Sequence, residues 1–145
     1  MDISITLGLV KKIMTTNTTI SRAPKILSID DDETIRAIIH IVLTSLSGYE
    51  VVCASSGQQA LSILNDYTPD LILLDSVIPG MDGLEILTHL KSEPETRNIP
   101  VVILTASSTA ERMLEFTASG AAGIIHKPFD PMSLPFEVGR YLNVI

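Results

Sequence analysis

DLILLDSVIPGMDGLE, residues 70–85, is the stretch on which the fold turns. Leu71, Ile72, Leu73 and Leu74 form an unbroken apolar run of strand length that ends in a carboxylate, Asp75. A strand with water on one face alternates apolar and polar residues, whereas a run without alternation belongs to a strand covered on both faces. That is the habit of parallel sheets. Pro79 and Gly80 then turn the chain, and Leu84, Leu87 and Leu90 recur at helical spacing until Pro94 stops them. Just beyond, PVVILT (residues 100–105) repeats the apolar run, again ending in a polar side chain, Thr105.

The same alternation extends to either side. Short β-rich runs lie at Lys25–Asp30 (KILSID), Glu50–Ala54 (EVVCA) and Gly123–Lys127 (GIIHK). Ile35, Ile38, Ile39, Val42, Leu43 and Leu46 form an amphipathic helical stripe, and Ala60, Leu61 and Leu64 a shorter one after Gly57. A fourth helix is expected from the capping box Ser108-x-x-Glu111, with Gly120 as its stop. The fifth starts either at Asp130, with Pro131 in first position, or at Ser133, with Pro135 in the first turn. Five strands alternating with five helices predict an α/β fold with a parallel sheet and right-handed crossovers. Residues 1–23 fit no element well, and the polar run Thr15–Thr19 suggests a mobile arm before a domain of residues 24–145.

Composition narrows the function. The chain has 145 residues, 46% hydrophobic and 19% charged, a globular balance. Seventeen acidic against ten basic residues give a net charge of −7, which argues against general nucleic-acid binding. No apolar run reaches the roughly 18 residues of a membrane span, and Asp2 sits where a signal peptide wants positive charge. The expectation is a cytoplasmic protein. The lone Cys53 rules out an internal disulfide and a multi-cysteine metal cluster, and reads as a small buried strand residue. His40 and His89 read as helix-surface residues, and His126 as a packing residue.

Open parallel sheets bind ligands at the carboxyl ends of their strands, beside the point where strand order reverses. Those ends carry Asp30 and Asp31 on the first strand, Asp75 on the third, Thr105 on the fourth and Lys127 on the fifth. Crowded carboxylates resist ionising together unless a cation joins them. An all-oxygen donor set suits Mg²⁺, and the absence of Cys and His at these ends speaks against zinc. A lysine there can stabilise phosphoryl oxygens, and a carboxylate such as Asp75 can be the nucleophile that accepts the group. Asp32 or Glu33 is expected only to cap the first helix.

KILSIDDDETIR, DLILLDSVIPGMDGLE, VVILTAS and GAAGIIHKPFD, in this order, resemble the receiver domains of bacterial two-component systems, from Pro24 to the C-terminus. The resemblance implies a flavodoxin-like, doubly wound five-stranded sheet of order 2-1-3-4-5 in a three-layer sandwich. It implies a signalling phosphoacceptor, not an enzyme with turnover beyond its own phosphorylation and slow dephosphorylation. Asp75 would take the phosphoryl group from a sensor histidine kinase or a histidine phosphotransfer protein. Asp30, Asp31, Asp75 and the backbone carbonyl of Val77 would bind Mg²⁺, with Mn²⁺ a substitute. Thr105 would swing to the phosphoryl oxygen beside the small Ala106, Lys127 would bind that group, and Lys127–Pro128 would be cis. Output would pass by protein contact through the Ser108–Leu142 face, where Met113, Phe116, Phe129, Phe136 and Tyr141 read mostly as core, from a monomer or weak dimer.

Two positions depart from that pattern. Ile124 stands where receivers commonly carry the aromatic residue of the Thr–aromatic relay, which predicts a muted or differently built output change. Ile78 replaces a frequent Met at similar volume. Val77 and Ser107, two residues after the acceptor and the threonine, suggest slow self-dephosphorylation. Among rival readings, a haloacid-dehalogenase-type phosphatase would carry its nucleophile in a D-x-D motif on the first strand, whereas here that strand ends in the adjacent Asp30-Asp31 and the better nucleophile, Asp75, ends the third. A receiver that works without phosphorylation has only Ile124 in its favour. A nucleotide-binding protein would need G-x-x-x-x-G-K-[ST] or G-x-G-x-x-G, neither of which occurs.

Overall fold

The computed structural model describes residues 22–107 and 109–142. The expected N-terminal arm therefore lies outside the described residues, apart from its last two. Strands and helices alternate as β1 (Lys25–Ile29), α1 (Glu33–Ser47), β2 (Glu50–Ala54), α2 (Gly57–Leu64), β3 (Leu71–Asp75), α3 (Gly83–Ser92), β4 (Val101–Thr105), α4 (Ala110–Ala118), β5 (Gly123–His126) and α5 (Leu134–Gly139). The sheet is wholly parallel in the order β2-β1-β3-β4-β5, so the strand order reverses between β1 and β3. This is the flavodoxin-like, doubly wound fold that the resemblance implied.

Alternation along each strand divides the core into two layers. Leu27, Ile29, Ile72, Leu74 and Ile103 pack with Ile86, Leu87 and Leu90 of α3 and Phe116 of α4. Ile26, Leu71, Leu73, Val102 and Leu104 face the other way, onto Ile39, Val42 and Leu43 of α1 and Leu134 and Val138 of α5. Every residue of β3 and β4 is buried, as their unbroken apolar runs required. Each fully buried Leu or Ile contributes roughly 1.5–3 kcal/mol over its exposed state. The central strands that carry Asp75 and Thr105 are thus held from both sides.

Helix ends follow local chemistry. Asp32 caps α1, its carboxylate accepting from the N–H groups of Thr34 and Ile35, and Gly48 closes the helix at φ 68°. Within the predicted stripe of α1, Leu46 in the last turn stays exposed. The α3 helix stops at Ser92, because Glu93 precedes Pro94 and takes an extended conformation. Asp82 stands at the cap of α3 without a capping bond; its carboxylate is taken by the Arg112 guanidinium at 2.9 Å. For α4, Thr109 is the cap, accepting from Arg112 N–H, in place of the expected Ser108, which lies outside the described residues. Of the two starts open for α5, Ser133 is the one adopted, with Pro135 inside the first turn, where a missing N–H costs no helical bond.

Candidate functional site

The carboxyl ends of β1, β3, β4 and β5 bring the sequence-predicted residues to one edge. Asp30 is fully buried, Asp75 is buried and Asp31 is exposed. Each offers a carboxylate oxygen, and the three oxygens lie within 4.8 Å of one another. Lys127 reaches in from the end of β5, and its Nζ donates to Asp30 Oδ2 and Asp75 Oδ1, both at 3.1 Å. The following Lys127–Pro128 bond is cis. Thr105 closes the edge on β4 and is fully buried.

The local backbone explains the placement. The other oxygen of Asp30 accepts from Asp32 N–H at 2.9 Å, and the Asp30 carbonyl accepts from Arg36 Nη1 at 2.9 Å. The first turn of α1 is thereby tied to the end of β1. Gly83 begins α3 so close beneath the loop after Asp75 that a Cβ there would lie 2.7 Å from the Asp75 carbonyl oxygen and 2.8 Å from that of Ser76. Only glycine permits that approach. Val77 follows on the loop; its N–H points to Asp75 Oδ1 at 3.5 Å, and its side chain is mostly exposed.

Electrostatics shows what the arrangement lacks. Burial pushes the Asp75 carboxyl above its ordinary value, the nearby Asp30 charge pushes it further, and Lys127 only partly opposes them. Burial works to lower Lys127, but the hydrogen bonds and charges of Asp30 and Asp75 outweigh it and leave the ammonium raised and charged. Three carboxylates and one ammonium carry a formal charge of −2. Hard oxygen donors with that surplus, at the mouth of a sheet, fit a divalent oxygen-seeking cation such as Mg²⁺.

Sequence reasoning missed two contributors. Ser76, buried beside Asp75, donates its hydroxyl to Thr105 Oγ1 at 2.9 Å. Its signal was a polar residue where an apolar strand stops, overshadowed by the carboxylate before it. Arg36 was the other; an arginine one turn inside a helix looks like any surface charge until its carbonyl partner is seen. His126, expected to pack, is exposed instead, because it ends an edge strand whose face is only partly covered. Phe136, counted among residues mostly of the core, turns outward and is 78% exposed, whereas Phe116 is fully buried.

A doubly wound sheet with paired acidic residues after β1, a carboxylate ending β3, a hydroxyl ending β4 and a lysine before a cis-proline after β5 is the arrangement that the resemblance to receiver domains implied. Comparison with known proteins gives the same answer. Residues 26–138 match the model of the response regulator receiver domain. The chain is 42% identical over 118 residues to sporulation initiation phosphotransferase F of Bacillus subtilis, covering 81% of this chain and 93% of that protein. It is 41% identical over 123 residues to the phosphate regulon transcriptional regulatory protein PhoB of Escherichia coli, covering 85% of this chain and 53% of that one. The chain thus spans about half the length of the phosphate-regulon regulators it matches. Among solved structures, the chemotaxis protein CheY4 of Vibrio cholerae superposes with a TM-score of 0.79 at 31% identity, over 83% of this chain and all of that one. The receiver domain of a Pseudomonas aeruginosa sensor histidine kinase, described with a magnesium ion coordinated in its active site cleft, matches with a TM-score of 0.74 at 26% identity, over 83% and 98% of the two chains.

This chain belongs to the response-regulator receiver family, the phosphoacceptors of two-component signalling.

Proposed function

We propose that Asp75 is the phosphoacceptor of this receiver and that the domain formed by residues 24–145 works as a phosphorylation switch. The observation that carries the reading is the single Lys127 ammonium shared at 3.1 Å between Asp30 and Asp75 on a buried strand edge. A carboxylate oxygen of Asp75 attacks the phosphorus of a phosphohistidine, presented by a sensor kinase or a phosphotransfer protein. A P–O bond forms, the P–N bond breaks, and the imidazole leaves with the electron pair. Lys127 offsets charge on the transferred oxygens, and Thr105 offers its hydroxyl to one of them. Asp30, Asp31, Asp75 and the Val77 carbonyl would hold Mg²⁺, or Mn²⁺ in its place. That ion would supply positive charge to the phosphoryl oxygens.

The receiver itself promotes its phosphorylation and a slow loss of the group. The side chain of Val77 is apolar and exposed at the loop, and offers a hydrolytic water no hydrogen bond. Ile124 is half-buried in the layer with Ile103 and packs without a polar tip, so output is muted or differently built relative to receivers with an aromatic there. Output passes by protein contact through the region of residues 108–142. The test is intact-protein mass after incubation with acetyl phosphate and Mg²⁺. The expected result is a gain of one phosphoryl group, roughly 80 Da, as acyl-phosphate chemistry requires. An Asp75→Asn protein that gains the same mass under the same conditions would overturn the assignment.

A further inference from the structure

Among the described residues, Ser76 is the buried hydroxyl at the site edge that the phosphoacceptor reading leaves without a task. It follows Asp75 directly, so alternation turns its side chain away from the carboxylate cluster and onto the layer that carries Thr105. Its backbone is fixed from two elements: the N–H donates to Leu104 O at 2.9 Å, and the carbonyl accepts from Gly83 N–H at 3.2 Å. The side chain, on a residue only 3% exposed, donates to Thr105 Oγ1 at 2.9 Å.

Thr105 Oγ1 also accepts from Ser107 N–H at 3.0 Å. A hydroxyl oxygen has two lone pairs and one proton. Ser76 and Ser107 engage both lone pairs, which leaves the proton of Thr105 as its free polar function. A phosphoryl oxygen is an acceptor and needs a donor. The bond from Ser76 therefore does not compete with a bond from Thr105 to that oxygen, and polarises the Thr105 hydroxyl toward donating. Ile124, which pairs with Ile103 two residues before Thr105, carries no polar atom and cannot hold Thr105 by a hydrogen bond.

We propose that Ser76 is a positioning residue, which orients the Thr105 hydroxyl as a donor to the group bound at Asp75. The proposal rests on the reading of Asp75 as phosphoacceptor. The Ser76 side chain acts through Thr105, to which its hydroxyl donates, and not through a hydrogen bond to the residues that would hold the metal.

Calorimetric titration of beryllofluoride, a phosphoryl mimic, into the Mg²⁺-saturated chain tests it. Ser76→Ala is expected to weaken beryllofluoride binding about 5- to 10-fold, the worth of one hydrogen bond. Its Mg²⁺ affinity, measured without beryllofluoride, stays within about twofold of wild type, since the donors that hold the ion are untouched. Thr105→Val keeps the shape and removes the hydroxyl, and in that background Ser76→Ala is expected to have no further effect on beryllofluoride binding. A Ser76→Ala protein that binds beryllofluoride as wild type does, or more tightly, overturns the proposal alone. So does an equal loss in the Thr105→Val background, because the serine would then act through the fold. A wild-type chain that binds no beryllofluoride, or an Asp75→Asn chain that binds it equally well, overturns the phosphoacceptor reading and this proposal with it.

Discussion

Replacing Lys127 by methionine keeps much of the side-chain volume and removes the charge between Asp30 and Asp75. Each contact at 3.1 Å is worth about 5 kcal/mol at an effective dielectric constant of about 20. The repulsion among the carboxylate oxygens, which lie within 4.8 Å of one another, is common to both proteins and cancels from the difference. Against the two contacts stands the desolvation of the ammonium, several kcal/mol, which the variant no longer bears. The net loss in metal-free buffer at neutral pH should be about 3 kcal/mol. That is the low end for a broken buried pair, because Lys127 keeps 19% of its side-chain surface in solvent. Urea denaturation measures it directly, and a melting point lowered by roughly 10 °C accompanies it in a domain of this size. Excess Mg²⁺ should restore more stability to the variant than it adds to wild type, since in wild type the ion and the ammonium share the same oxygens. A variant within about 0.5 kcal/mol of wild type without metal, the range of an ordinary surface substitution, would refute the reasoning. So would an equal Mg²⁺ increment in both proteins.

Asp75→Asn should be more stable than wild type at pH 7 without metal, since the raised Asp75 carboxyl is one that folding makes harder to ionise. The sign follows from linkage: stability from such a group is complete below its unfolded value near 3.8 and is lost as pH rises through the higher folded value. The gap should close as pH falls toward 3.8, and a gap that widens on acidification would contradict the cause assigned. Gly123→Ala should cost about 1–3 kcal/mol in urea denaturation, because the added methyl would occupy the place of the Tyr141 ring; a neutral substitution would show that the segment after α5, which carries Tyr141, gives way freely. Arg112→Ala breaks a partly exposed pair with Asp82 and should cost less than about 1 kcal/mol. The freed Asp82 can then cap α3, so slower hydrogen exchange at Leu84 and Glu85 is expected, and faster exchange would contradict it.

How much of this was legible in the sequence depends on whether a feature lives in one segment or between two. The unbroken apolar runs of β3 and β4 announce burial on both faces, and polar residues at their ends fall on one edge once the sheet is parallel. Asp30, Asp31, Asp75, Thr105 and Lys127 could thus be placed together without coordinates. Glu93 before Pro94 ended its helix for a reason local to two residues. Pairings set by packing could not be read in the same way. Asp82 meets Arg112 across 30 positions and gives up its capping bond for it. Ser76 finds Thr105 across 29, on a face that sequence alternation names only after the register of β3 and β4 is known. His126 and Phe136 show the limit of periodicity, which marks a face without saying how completely it is covered.

The central claim, that Asp75 receives the phosphoryl group, is tested most directly by trapping the acyl phosphate where it forms. The Mg²⁺-loaded chain is phosphorylated, reduced with borohydride and digested, and the peptide spanning β3 is sequenced by mass. Homoserine is expected in place of Asp75 in the phosphorylated sample and aspartate there in the metal-free control, as an acyl phosphate on that carboxylate requires. Homoserine at Asp30 or Asp31, with Asp75 intact, would contradict it.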